Sequence, residues 1–104
     1  MRHALDFIEE HLSEPITIAD IAAAGGTGVR SLEQGFHDEL SCTPSIYLRD
    51  RRLDRARLDL VDAAPLDHVT VTDVAVRWGF THLGRFASSY RRRFGESPSR
   101  TLRA

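Results

Sequence analysis

The sequence contains no lysine and only one cysteine, Cys42. A lone cysteine excludes an internal disulfide and any multi-cysteine metal site. No apolar run approaches the roughly 20 residues that a membrane span requires. No basic segment followed by an apolar stretch opens the chain, so no secretory leader is expected, and the expected location is the reducing cytoplasm. Sustained period-two alternation is missing, which argues against strands. No pair among the five histidines has the HxxxH spacing of a helical metal site, and no glycine-rich phosphate loop follows a strand, so neither metal nor cofactor is expected. An enzymatic reading has one candidate pair, Cys42 as nucleophile with His37 as base. It lacks a third group to orient the base, and no catalytic function is expected. At 104 residues the chain is one compact domain or two small lobes, too short for a large α/β enzyme fold.

What is present is unevenly distributed. The formal net charge is −1, and all fourteen cations are arginine. Residues 1–40 hold two Arg against eight acids, residues 41–73 five against six, and residues 74–104 seven against Glu96 alone. One end is acidic and the other strongly basic. Phosphate binding wants a local excess of cation, and arginine suits it through bidentate contacts to phosphate and guanine.

A repeat organises the chain. The segment ITIADIAAAGG from Ile16 matches VTVTDVAVRWG from Val69 at an offset of 53. Thr17, Asp20, Ala22 and Gly26 align with Thr70, Asp73, Ala75 and Gly79. Past the glycine the offset becomes 54: Leu32, Phe36, Leu40, Pro44 and Leu48 align with Phe86, Tyr90, Phe94, Pro98 and Leu102. In each copy T-x-x-D starts a short helix, the hydroxyl capping free N–H groups and the carboxylate sitting at the positive end of the dipole. Ile21 and Ala22, like Val74 and Ala75, fall on the inner face. Gly26 and Gly79 end the two helices in left-handed positions. Second helices follow at about residues 28–39 and 82–93, with apolar stripes at four-residue spacing, Leu32–Phe36–Leu40 and Phe86–Tyr90–Phe94. Thr43-Pro44 and Ser97-Pro98 open third helices.

A first helix over Ala4, Leu5, Ile8 and Leu12 precedes the first copy. A long helix runs from Pro44 to about Asp62, with Leu48, Leu53, Ala56, Leu60 and Val61 on its buried side and an Arg55–Asp59 pair on its wet side. Residues 63–68 form a loop. The expected fold is all-α with seven helices: a subdomain at 1–43, a linker helix at 44–63 and a second subdomain at 64–104.

A short helix, a glycine turn and a second helix describe a helix-turn-helix. The small Ala22 and Ala75 let the second helix cross closely over the first. Two such units with the same caps and flanks are a specific signal. The linker of about nineteen residues would span about 29 Å at 1.5 Å per residue, against about 34 Å for a turn of B-DNA. Two second helices could then enter successive major grooves from one chain.

At this level of detail the sequence resembles the DNA-binding domain of the AraC/XylS family of bacterial transcription regulators, over about residues 4–103. The most specific stretch is Asp73-Val-Ala-x-x-x-Gly79-Phe80, then Phe86-x-x-x-Tyr90-Arg91-Arg92-x-Phe94-Gly95-x-Ser97-Pro98. The first copy carries Ile21-Ala22, Leu32-x-x-x-Phe36, Pro44-x-x-Tyr47-Leu48 and Arg52-Leu53-x-x-Ala56. The resemblance implies sequence-specific binding of double-stranded promoter DNA. It also implies an upstream sensing or dimerisation domain in most full-length members; RNA polymerase is a candidate partner.

The positions matching the family's base-reading sites are Arg30, Ser31, Glu33 and Gln34 in the first recognition helix, and His82, Leu83, Gly84, Arg85, Ser88 and Ser89 in the second. Arg30 and Arg85 suit guanine, Gln34 suits adenine and Glu33 a cytosine amino group. Arg91 and Arg92 are candidate phosphate contacts, as are Thr17, Thr70 and Thr81 at helix starts. Arg49, Arg51 and Arg52 read as surface or salt-bridge residues, and Trp78, Phe80, Phe86, Tyr90 and Phe94 as core. The family pattern fails in places. Gln34 and Ser88 stand where a basic residue is common, and Gly28 replaces the usual hydroxyl cap. Gly35 weakens its helix by roughly 0.5–1 kcal/mol. The first unit is therefore expected to grip DNA more weakly than the second. The alternative is a protein-interaction module whose acidic N-terminal half docks onto a sensor domain or RNA polymerase.

Overall fold

The computed structural model describes residues 1–104 and contains seven α-helices joined by short turns. They are α1 (Arg2–Glu10), α2 (Ile18–Ala24), α3 (Val29–Leu40), α4 (Pro44–Asp62), α5 (Val71–Arg77), α6 (Leu83–Phe94) and α7 (Pro98–Arg103). The segment expected as a loop after α4 contains one turn of 3-10 helix, Pro65–Asp67. No helix is long and apolar enough to cross a membrane.

The first helix of each copy, α2 and α5, is capped and closed alike, bond for bond. Thr17 accepts a hydrogen bond from the Asp20 N–H at 3.0 Å, while the Asp20 carboxylate accepts from the Thr17 N–H at 2.9 Å. Thr70 and Asp73 repeat this reciprocal box at 3.0 and 3.1 Å. At the far end of α2 the Thr27 N–H reaches the Ala22 carbonyl and the Gly26 N–H the Ala23 carbonyl, both at 3.0 Å. In α5 the Phe80 N–H reaches Ala75 at 2.9 Å and the Gly79 N–H reaches Val76 at 3.0 Å. Both are Schellman closures, which need a left-handed residue. Gly26 and Gly79 supply it at φ +69° and +85°.

The chain divides into two compact units, Met1–Arg51 and Arg52–Ala104, with the boundary inside α4. The linker helix thus serves both cores. In the first unit Ala4, Ile8, Leu12, Ile21, Ala22, Leu32, Phe36 and Leu48 are buried, with Tyr47 edge-on to Phe36 at 5.5 Å. Arg51 closes this unit by a two-bond contact to Glu9, at 2.6 and 3.2 Å. In the second unit Leu53, Ala56 and Leu60 of α4 pack with Val74, Ala75, Phe86 and Tyr90. Trp78, Phe80, Phe94 and Leu102 lie partly buried against them. Burying a side chain the size of Phe36 or Phe86 contributes about 1.5–3 kcal/mol.

Three expectations need correcting. Leu40 is 37% exposed, unlike its repeat partner Phe94. Phe94 packs its ring at a tilt on Tyr90 at 4.6 Å, whereas Leu40 is smaller and is the last residue of α3. Val61 is 56% exposed, because the buried stripe of α4 ends on Leu60. Asp59 does not pair with Arg55. Its carboxylate accepts from Arg77 at 2.9 Å and from the indole N–H of Trp78 at 2.8 Å. Arg55 lies over the Trp78 ring instead, 5.3 Å from its centre. A buried indole N–H needs an acceptor, and that requirement outranks an exposed i,i+4 ion pair.

Candidate nucleic-acid interface

The two second helices, α3 and α6, carry the sequence-predicted contacts, and their core residues fix which face each turns outward. In α3 the buried Leu32 and Phe36 leave Arg30, Glu33, Gln34, His37 and Asp38 exposed. In α6 the buried Phe86 and Tyr90 leave Gly84, Arg85, Ser88, Arg91 and Arg92 exposed. Tyr90 is anchored by a hydrogen bond from its hydroxyl to Thr101 Oγ1 at 2.8 Å, and Thr101 in turn donates to Glu96. Burial raises the Tyr90 phenol above its ordinary pKa. The outward face of α6 is therefore held from beneath by α7.

The N-termini of these helices differ. Gly28 caps α3 without a side-chain hydrogen bond. His82 caps α6, its Nδ1 accepting from the Arg85 N–H at 3.0 Å. That bond commits one ring nitrogen to the helix and leaves Nε2 as the outward group. Gly84 makes room for the cap: a Cβ there would stand 3.1 Å from the His82 ring. His82 and Gly84 were both expected to read bases, and both also have this structural task. Leu83 is exposed, and Ser89 is half-buried beside the Tyr90 side of the helix.

The arginines near α6 fall into two groups. Arg77 is tied to Asp59, and Arg93 makes a two-bond contact to Asp54 at 2.7 and 3.1 Å. Arg52 lies half-buried beside Gly79, where a Cβ would meet its guanidinium at 3.4 Å, and burial lowers its pKa from an ordinary value far above neutrality. Arg85, Arg91 and Arg92 are exposed and enter no ion pair. The last turn of α6 thus presents two uncommitted guanidiniums to solvent.

On α3 the exposed groups are arranged otherwise. Arg30 and Glu33 are exposed and do not pair with each other. The Gln34 amide donates to Asp38 Oδ1 at 2.9 Å, and His37 Nδ1 lies 3.3 Å from the same oxygen. Hydrogen bonds from His37 first and Gln34 second hold the Asp38 carboxyl below its ordinary pKa. Ser31 lines a cavity of about 260 Å³ with Met1, Ala4 and Gly35, so its side chain borders the α1 side as well as solvent. Asp38 was not singled out from sequence. The signal was available, since it stands four residues after Gln34 and aligns with Arg92 in the repeat.

Thr17 and Thr70 are spent mainly on capping. The N–H groups of Thr17 and Thr70 are occupied by the Asp20 and Asp73 carboxylates, and those of Asp20 and Asp73 by the threonine oxygens. Thr81 is exposed in the turn before His82.

A family model described as a helix-turn-helix domain matches residues 11–104. The chain is 46% identical over 103 residues to a probable thc operon regulatory protein of Rhodococcus erythropolis, a match covering 99% of this chain and 31% of that protein. It is 42% identical over 100 residues to a XylDLEGF operon transcriptional activator of Pseudomonas putida, covering 95% of this chain and 30% of the relative. Among solved structures, a probable AraC family transcriptional regulator from Rhodopseudomonas palustris superposes with a TM-score of 0.89 at 37% identity, over 98% of this chain and 93% of that one. The chain spans about a third of the length of these curated relatives. With the paired caps, the paired glycine closures and both recognition helices in place, the chain belongs to the AraC/XylS family of helix-turn-helix DNA-binding domains.

Proposed function

We propose that this chain regulates transcription in the cytoplasm by binding promoter DNA with both recognition helices, α3 and α6, in successive major grooves, and that α6 supplies most of the affinity. The observation that carries this reading is the state of the arginines on α6. Arg85, Arg91 and Arg92 are exposed and unpaired, while Arg77 and Arg93 beside them are bound to carboxylates. Arg85 reads a guanine near the capped start of α6. Arg91 and Arg92 meet phosphates at its end. Ser88 and the outward Nε2 of His82 add polar contacts. In the first unit Arg30 and Gln34 read bases, with Ser31 and Glu33 at the edges of the contact. Its weaker grip follows from the uncapped start of α3 and the acidic residues on its outer face.

The reading extends to an upstream sensing or dimerisation domain and to RNA polymerase as partners of the whole protein. Glu10, exposed and unpaired on α1, is the clean position for testing a protein contact there. Glu9 is not, because it holds Arg51.

The test is selection of bound duplexes from a random pool, followed by affinity against salt. Two blocks about one helical turn apart, roughly 10 base pairs, with a steep salt slope, are expected. A single block would remove α3 from the readout. No enrichment at low salt would overturn the proposal.

A further inference from the structure

The aligned positions of the two recognition helices carry opposite charge. Where α6 has Arg91-Arg92-Arg93, α3 has His37-Asp38-Glu39. An anion at position 38 faces the same way as the phosphate-seeking Arg92, and against a polyanion it costs affinity. What Asp38 provides in return is the hydrogen bond from Gln34 at 2.9 Å. A carboxylate only accepts, so the Gln34 amide must present its nitrogen to Asp38. One N–H and the carbonyl oxygen of the amide stay free, which is the donor and acceptor set that adenine requires in the major groove. Gln34 also has three side-chain torsions to order. The i,i+4 spacing lets one turn of helix immobilise them before DNA arrives.

We infer that Asp38 is a positioning residue: it fixes the Gln34 amide for base reading and exchanges overall affinity for discrimination at one base pair. This inference rests on the proposal that Gln34 contacts a base. It assigns α3 a different role from α6, sequence choice rather than grip.

The test uses duplexes recovered by selection, carrying each of the four base pairs at every position of the α3 block. Binding is measured for the natural chain and for Gln34→Ala, Asp38→Ala and Asp38→Asn, with helicity checked by circular dichroism. Gln34→Ala locates the position it reads. At that position Asp38→Ala should lower discrimination about 2- to 10-fold, the cost of ordering a rotamer-rich side chain on binding. Removal of an exposed like charge should also tighten binding to the three non-preferred duplexes by about 2- to 5-fold, while on the preferred duplex the ordering cost offsets that gain. Asp38→Asn keeps an acceptor oxygen without the charge, so it should tighten binding while retaining the preference. If both Asp38 variants tighten binding with discrimination untouched, Asp38 acts through charge alone and the inference is overturned. If Gln34→Ala changes no base preference, the base-reading role of Gln34 falls and the inference with it. Loss of discrimination in both Asp38 variants alike would also overturn it, because the acceptor oxygen would then not matter.

Discussion

Replacing Arg91 and Arg92 together by alanine separates grip from fold, because their neighbour Arg93 is an internal control. All three stand in the last turn of α6. Arg93 is bound to Asp54 through two nitrogens and lies 5.8 Å from the centre of the Phe94 ring, whereas Arg91 and Arg92 enter no ion pair. Each phosphate neutralised contributes about 0.9 to the slope of log affinity against log salt. The double variant should lose about 1.8 from that slope. Between 50 and 200 mM salt, the natural domain should then lose about twelvefold more affinity than the variant. Arg93→Ala should leave the slope within about 0.3 and instead lower stability by about 1 kcal/mol, since the broken pair is well aligned but partly solvated. That corresponds to about 4–8 °C in melting temperature. Fluorescence anisotropy across a salt series and a thermal melt give the two readouts. An equal slope change for Arg93→Ala and Arg92→Ala, or none for the double variant, would refute the claim that ion pairing decides which arginines meet DNA.

Further outcomes follow from the same geometry. His82→Ala should destabilise the start of α6 by about 1 kcal/mol, as loss of a cap does, and His82→Asn should restore it, measured by thermal unfolding. Gly79→Ala should cost more than Gly35→Ala, because position 79 has φ +85° and stands against Arg52, while a Cβ at 35 meets only the mobile end of Met1. Gly35→Ala should raise stability by about 0.5–1 kcal/mol through helix propensity, read as a higher melting temperature. Burial raises the Tyr90 pKa above 10.0, so the folded state resists ionising this group. The stabilisation is complete below the ordinary tyrosine range and is lost as pH rises through the folded value. An alkaline melt of Tyr90→Phe should lack that loss.

The scaffold was legible in the sequence because its rules are local and occur twice. T-x-x-D, the small residue four before glycine, and apolar spacing of four each have one dominant physical reading, and both copies carry them. Side-chain pairing was less legible. The Arg55–Asp59 spacing satisfied the i,i+4 rule, but Trp78 nineteen residues away presented an indole N–H that the rule ignores. Leu40 continued the apolar stripe one turn past Phe36, but as the last residue of α3 it is 37% exposed. His82 reads from sequence as a base contact because it matches a base-reading position of the family, and histidine is an uncommon cap. Only the placement of its Nδ1 against the Arg85 N–H shows the second role.

The repeat also separates what folding requires from what DNA contact requires. Positions that turn inward kept their chemistry across the two copies: Ala22 with Ala75, Leu32 with Phe86, Phe36 with Tyr90. On α3 and α6 the positions that turn outward did not, and Asp38 against Arg92 is the sharpest case. An exposed residue on a well-packed helix can change charge at small cost to stability, so the packing leaves that face free for whatever the helix must meet. Two helices with the same scaffold and opposite outer charge cannot make equal contributions to a polyanion. On the proposed reading, the strength of binding comes from α6, and sequence information from α3 is gained by well-oriented contacts rather than by attraction.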